Sequence, residues 1–372
     1  MARNAKDGPA ESFTARHQIG VSASLLFVLW LSRAARFPSD IGGLYRLSYY
    51  DDISGEYGRG PNDFYFVLFW LIVFIGLRIA VMDYVLRPLA RGLGARRSRD
   101  AQRFSERSYN MLYHLISFGV GMHLWIYSKY WSELREMWTD TPVTGISGMM
   151  KGYYLLSFAF ALQQIVIIHI EQARSDHWAM LAHHIVTSVL LFGSYSLYQT
   201  RVGSVIVCIM DVADIFLSLT KVFNYLAWHT ACNITFLVFF IVWFVTRHVI
   251  YPMIVWSVYA DAFDTIPLGC FSAVTGRRLS QPKASSIVHY LQPFVYSDGT
   301  VCIDTRVYWS MLILLGTLEI LMLFWFSAAA KIIWAFITGS DVNDTRSEVD
   351  EKEMVEEATN GVIPSIEKAK VN

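Results

Sequence analysis

Long apolar runs separated by short polar or arginine-rich links dominate this chain. A helix that crosses a bilayer needs roughly 20 mostly apolar residues. Runs of that kind fall at about 17–32, 64–86, 108–128, 150–170, 177–198, 202–226, 231–257 and 307–337, the first being the shortest. Pro61 and Pro88 bracket the second run, and Pro252 falls near the end of the seventh, positions where helices commonly stop. From Gly339 the apolar content is lost and the chain turns acidic, with Asp341, Asp344, Glu348, Asp350, Glu351, Glu353, Glu356 and Glu357. The pattern therefore predicts an all-α polytopic membrane protein, a bundle of about eight transmembrane helices. Residues 1–60 form an N-terminal cytosolic segment, a first anchor and a lumenal loop. Residues 61–338 form the membrane domain, and 339–372 a disordered acidic cytosolic tail.

Composition agrees with a membrane origin. Of 372 residues, 54% are hydrophobic and 17% charged, against about 25% charged in soluble domains. The 31 basic and 31 acidic side chains cancel, so no basic excess is left to neutralise the phosphates of a nucleic acid. Four cysteines without a CxxC pair exclude a disulfide scaffold and a zinc ribbon. The run from His17 to Ser32 lacks a small-residue cleavage site and reads as a retained anchor. There is no internal repeat to support an inverted-repeat transporter.

Sidedness follows from the short links. Segment 87–107 carries Arg87, Arg91, Arg96, Arg97, Arg99, Arg103 and Arg107 against Asp100 and Glu106, which makes it cytosolic by the positive-inside rule. Counting outward, both termini and the 171–176 turn are cytosolic. The 129–149, 199–201 and 258–306 loops face the lumen or exterior. Cys270 and Cys302 share the last of these loops on the oxidising side, where they form either a disulfide or two free thiols. Lys368 and Lys370, third and fifth from the carboxyl end, look like a dilysine retrieval signal of endoplasmic-reticulum membrane proteins.

Ionisable side chains at bilayer depth cost about 2.5–3.5 kcal/mol each on insertion scales, which makes each one a functional candidate. Here they concentrate in two consecutive spans. The fifth holds His177, Met180, His183, His184 and Thr187; the sixth holds Asp211, Asp214, Ser218 and Lys221. Helical spacing of three and four puts Asp211, Asp214, Ser218 and Lys221 on one stripe. The link between the spans is very short, so they are antiparallel neighbours whose stripes can meet. His183 lies six residues into its helix, roughly 9 Å deep, which predicts a polar pocket opening to the cytosol. A neutral imidazole backed by a carboxylate suits a base or nucleophile near neutral pH. Consecutive helical residues point about 100° apart, so His183 is assigned the direct chemistry and His184 a positioning role. Two other readings stay open. The four groups could be interhelical hydrogen-bonding glue, or a metal site, although di-iron membrane oxidases need several His-rich boxes and this chain has one pair. His114, His123, Glu319 and the pair Arg247 and His248 read as packing or interfacial partners.

Arg174, Asp176, Met180, His183-His184-Ile-Val-Thr187, Ser194-Tyr195, Arg201-Val-Gly203, Asp211-Val-Ala-Asp214, Lys221 and Asn224-Tyr225 together resemble the Lag motif of ceramide synthases, within a TLC domain. Arg103-Phe104-Ser-Glu106 is similar to the start of that domain, and Met210 resembles the fungal form of the motif. The resemblance covers about 100–340. It implies an acyl-CoA-dependent sphingosine N-acyltransferase of the endoplasmic reticulum, with fatty acyl-CoA as co-substrate and a sphingoid base as acceptor, and no other cofactor or metal. It also implies catalytic roles for His183, His184, Asp211 and Asp214, and substrate contacts from Arg174, Met180, Thr187, Ser218, Lys221 and Asn224. The imidazole acts either as base or as a transient acyl carrier, with Asp211 or Asp214 orienting it. Related enzymes suggest a homodimer or a small accessory subunit. They also suggest that the 258–306 stretch bears on acyl-chain length. The alternative is a non-enzymatic TLC-domain protein that binds or transports lipid.

Overall fold

A computed structural model describes residues 18–36, 41–95, 97–170, 176–279 and 299–338. Each of the eight apolar runs forms a helix: α1 (Gln18–Arg36), α2 (Asn62–Gly92), α3 (Ser98–Ile126), α4 (Gly148–Ile170), α5 (His177–Ser196), α6 (Thr200–Tyr225), α7 (His229–Thr265) and α8 (Thr305–Ile337). Five of them, α2, α4, α6, α7 and α8, are long and apolar enough to cross a membrane. α1 is a shorter apolar helix. α3 opens on a charged first third, and α5 is interrupted by its histidines. The count of eight crossings thus rests on five helices that meet the length and apolarity of a span. Two small antiparallel hairpins complete the described fold, β1 (Tyr50–Asp51) with β2 (Glu56–Tyr57), and β3 (Gly269–Ser272) with β4 (Thr300–Ile303).

Two prolines do not end helices as expected. α2 continues past Pro88 to Gly92, and α7 continues past Pro252 to Thr265. A proline lacks an N–H and crowds the carbonyl four residues back. In both helices a π-helical segment stands just before it, Met82–Leu86 and Phe244–Ile250. There the Arg87 N–H donates to the Met82 carbonyl and the Tyr251 N–H to the Thr246 carbonyl, five residues back rather than four. The widened turn absorbs the missing bond and lets the helix run on. The stretch expected as a loop from 258 therefore begins as helix and becomes a hairpin.

The chain divides into two compact units, one through Glu319 and one from Ile320 onward. In the second, the described residues are the remainder of α8. In the first, the broadest contact is between α3 and α6, followed by those of α6 with α7, α2 with α4 and with α1, and α4 with α5. Apolar burial drives helix association little inside a bilayer, so close packing and hydrogen bonds carry it. A Cβ on Gly121 would stand 2.7 Å from the Tyr153 hydroxyl and 3.0 Å from Cys208 Cβ, and one on Gly203 would run into the Tyr154 hydroxyl. These glycines let α3, α4 and α6 approach.

The two ends of this unit differ. At one end, Asp63 Oδ1 lies 2.7 Å from Lys151 Nζ, both fully buried. Tyr195 and the Gly60 N–H donate to Asp63 Oδ2 at 2.7 and 3.0 Å. Lys151 also donates to the Ser48 and Gly58 carbonyls at 2.9 and 2.7 Å. All three Lys151 protons and both Asp63 oxygens thus have partners, which buried charges require. At the other end, Ala90, Ala95, Ala101 and Phe104 pack on Val222 and Leu226. Cys270 and Cys302 face each other across β3 and β4 and are joined by a disulfide.

Candidate active site

α5 carries His183 and His184 with ring centroids 5.2 Å apart and planes at 76°. Both are partly buried, as are Met180 and Thr187, one helical turn to either side. On α6, Asp211 and Ser218 are buried, Asp214 and Lys221 partly so, and Asn224 is exposed at the helix end. Arg174 lies outside the described residues, as do the acidic tail, Lys368 and Lys370.

The carboxylates hydrogen-bond to side chains from other helices. Asp211 Oδ1 lies 2.8 Å from His114 Nδ1 on α3. Asp214 Oδ1 accepts from Arg247 Nη2 on α7 at 3.0 Å, and the same nitrogen donates to the Met210 carbonyl at 3.2 Å. Asp211 and Asp214 thus bond to His114 and Arg247, two partners that were not assigned to them from the sequence. The α3–α6 and α6–α7 crossings explain it, because they set His114 opposite Asp211 and Arg247 opposite Asp214. The α5 imidazoles remain in the same electrostatic environment. His184 feels Asp214 and His114, and His183 feels Arg247 and its neighbour His184.

Six ionisable groups from four helices thus converge: His114, His183, His184, Asp211, Asp214 and Arg247. Sequence reasoning assigned four of them and left His114 and Arg247 as packing partners. One signal could have found the arginine, since a guanidinium inside a membrane needs an anion and the neighbouring span offers two aspartates. Arg247 is 3% exposed and also lies over the Trp243 ring, its Cζ 4.2 Å from the centroid. Because α7 runs to Thr265, Arg247 stands at the middle of that helix rather than near its far end. The next residue, His248, reaches in another direction, its Nδ1 2.8 Å from Glu319 Oε1 on α8. Among the described residues, no group of three His, Cys, Asp or Glu side chains is disposed to hold a metal ion.

With Nδ1 bonded to a carboxylate, His114 is held in the tautomer that leaves Nε2 as the basic nitrogen. The cluster therefore offers one carboxylate-backed imidazole and two more within the same polar site. A fixed guanidinium adjoins them. Such a set can accept a proton, attack an activated carbonyl and stabilise negative charge on oxygen.

Residues 103–331 match the TLC domain family. The chain is 37% identical over 340 residues to the sphingosine N-acyltransferase-like protein ALT7 of Alternaria alternata, covering 90% of this chain and 76% of that protein. It is 34% identical over 308 residues to the ceramide synthase FUM18 of Gibberella moniliformis, covering 82% and 72%. To the sphingosine N-acyltransferase lag1 of Schizosaccharomyces pombe it is 33% identical over 311 residues, covering 84% and 74%. With the matched domain spanning more than half its length and these relatives aligned over most of the rest, the chain belongs to the TLC domain family.

Proposed function

We propose that this protein is an acyl-CoA-dependent sphingosine N-acyltransferase, a ceramide synthase, whose machinery lies within residues 61–338. The observation that carries the reading is the meeting of His183 and His184 with Asp211, Asp214, His114 and Arg247 inside a membrane bundle. Overall, the sphingoid amine displaces CoA from the thioester: a C–N bond forms, the C–S bond breaks, and the amine's proton goes to the leaving thiolate. In the covalent route His183 attacks the carbonyl first and CoA leaves; the amine then attacks the acyl-imidazole and frees the ring. In the direct route an imidazole only ferries the proton. His114, fixed by Asp211, suits the proton-accepting step in either route, and Arg247 sets the charge of Asp214 beside His184. Met180, Thr187 and Ser218 wall the approach, and Lys221 meets the anionic end of the donor.

In this reading the protein resides in the endoplasmic-reticulum membrane with both termini cytosolic, and a second copy or small accessory subunit is its protein partner. The Cys270–Cys302 disulfide supports the sidedness, because it follows the end of α7 remote from the arginine-rich link before α3.

The test uses the full chain in nanodiscs with a long-chain acyl-CoA and sphinganine, and mass spectrometry of the lipids. Amide formation that is lost in His183→Ala and insensitive to chelator is expected. A folded wild type that binds both substrates but forms no amide, with its partners supplied, would leave a lipid-binding role. Incubation with acyl-CoA alone separates the routes, since only the covalent one adds an acyl mass to the protein.

A further inference from the structure

Between Arg306 and Lys331, α8 carries a single acidic residue, Glu319. A lone carboxylate amid apolar residues at span depth is costly, so it calls for a counter-charge or a task. Glu319 Oε1 lies 2.8 Å from His248 Nδ1 on α7. Other carboxylates bonded across helices keep different company. Asp63 faces Lys151 and Asp214 faces Arg247, whereas Asp211 and Glu319 face imidazoles. Of these last two, the Asp211 side chain is 6% exposed and that of Glu319 23%, so Glu319 is the one that an incoming molecule can approach. Its second oxygen, Oε2, is buried and makes no hydrogen bond, which leaves the carboxylate with capacity for a donor.

Depth sets this pair beside the reacting groups. Met311 on α8 abuts α5 at Gly193, where an added Cβ would stand 3.1 Å from Met311 Cε. Tyr251 donates to the Leu315 carbonyl at 2.8 Å and His248 meets Glu319, so α8 runs antiparallel to α7. Short links after α5 and α6 make α7 parallel to α5. From the Gly193 contact, nine residues back along α5 reach His184, and eight residues on along α8 reach Glu319. Those rises are about 13 and about 12 Å in the same direction. Glu319 therefore shares the layer of the α5 imidazoles, and His248 directly follows the Arg247 that holds Asp214.

The acceptor in the reaction proposed above is a lipid whose charge in water is an ammonium. Brought to mid-bilayer depth, that ammonium needs an anion as much as Glu319 needs a cation. We propose that Glu319, braced by His248, binds the ammonium group of the sphingoid base and holds this acceptor in the layer of the imidazoles. This rests on the acyltransferase reading above. Ammonium and carboxylate form charge-assisted N–H···O bonds in surroundings that screen little. The pairing selects an amine against neutral alcohols of the same chain length, and proton transfer stays with the imidazoles already described. The rival account is a hydrogen bond that merely joins α7 to α8. Glutamine separates the two, since it can still bond to His248 but carries no charge.

The experiment compares wild type, Glu319→Gln and Glu319→Asp as full chains in phosphatidylcholine nanodiscs, with a long-chain acyl-CoA and sphinganine. In Glu319→Gln, KM for sphinganine should rise about tenfold or more while KM for acyl-CoA stays within about twofold. Glu319→Asp should recover part of the loss. An unchanged KM for sphinganine in a folded glutamine variant would overturn the proposal, and so would equal rises for both substrates. Equilibrium binding keeps the site testable apart from catalysis, with sphinganine and an alkane diol of the same length that lacks the amine as probes. Wild type should prefer sphinganine, and Glu319→Gln should lose that preference. Should wild type form no amide, this preference and its loss would uphold the amine site while the acyltransferase reading failed. A preference equal in both proteins would overturn the site. Adding phosphatidylethanolamine to the discs tests a headgroup amine as occupant. Loss of sphinganine binding by wild type in those discs would assign Glu319 to the headgroup and overturn the acceptor assignment.

Discussion

His114 Nδ1 and Asp211 Oδ1, on α3 and α6, stand 2.8 Å apart although the two residues are 97 apart in sequence. The pair gives α3, the helix that opens the matched domain, a direct hold on the carboxylate of the Lag-like motif. If this dyad works as a unit, His114→Ala and Asp211→Asn should each lower kcat by about 10²-fold or more, and the double variant should lose little beyond either single one. Additive losses in that cycle would mean that the two act separately.

Arg247 is buried, while the Asp214 side chain is about one-third exposed. Arg247→Met should therefore cost roughly 2 kcal/mol of stability, less than a fully buried pair would lose, because water still reaches the carboxylate. Thermal unfolding in one detergent measures it. Adding Asp214→Asn should recover part of the loss in Tm and none of the activity.

Asp63 and Lys151 sit far from the histidines, and neither has water to fall back on. Lys151→Met strands a carboxylate that Tyr195 and Gly60 cannot neutralise, at a cost of about 3–5 kcal/mol. Asp63→Asn/Lys151→Met should restore monodisperse, folded protein on size exclusion. A single variant as stable as wild type would show that the pair contributes nothing.

Gly203 is the point where α6 meets the Tyr154 hydroxyl, which also hydrogen-bonds Ser194 Oγ. Gly203→Ala should overpack this crossing by about 1–3 kcal/mol, and Tyr154→Phe should relieve part of it. The readout is the difference in Tm between the single and double variants.

Cys270 and Cys302 close a loop with a sequence separation of 32. In the chain-entropy account a loop of that size is worth about 3–4 kcal/mol. Cys270→Ser/Cys302→Ser should lower Tm while leaving the KM for both substrates near wild type. Alkylation at Cys270 and Cys302 themselves without prior reduction, read by peptide mass and apart from the free thiols Cys208 and Cys232, would show that the bond is not formed in the cell.

Much of the helical framework was legible because an apolar run of span length has few alternatives to a helix. The ends were less so. Pro88 and Pro252 read as stops, since the sequence carries no mark of a π-helical turn that lets a helix run through them. The polar stripe of α6 was legible from its spacing alone, as was its nearness to α5. Of its actual partners, His114 comes from a helix that Gly121 lets close on Tyr153 and Cys208, and Arg247 from α7, whose rotation follows from its packing on α6. No local pattern encodes that rotation. The disulfide was an even choice in sequence, and the facing register of β3 and β4 decided it.

The π-helical segment Phe244–Ile250 accommodates one residue more than ordinary α spacing would. A loss inside the segment can revert to α spacing with little turn, whereas loss of a single codon from the α-helical turns before it would swing everything downstream by about 100°. Tyr251, whose hydroxyl reaches the Leu315 carbonyl, and Ser257, which receives the Trp138 indole, would then turn from their partners. The π-helical segment should thus tolerate loss of one residue better than the α-helical turns on either side, which a library of in-frame deletions across α7 would expose as a sharp local maximum.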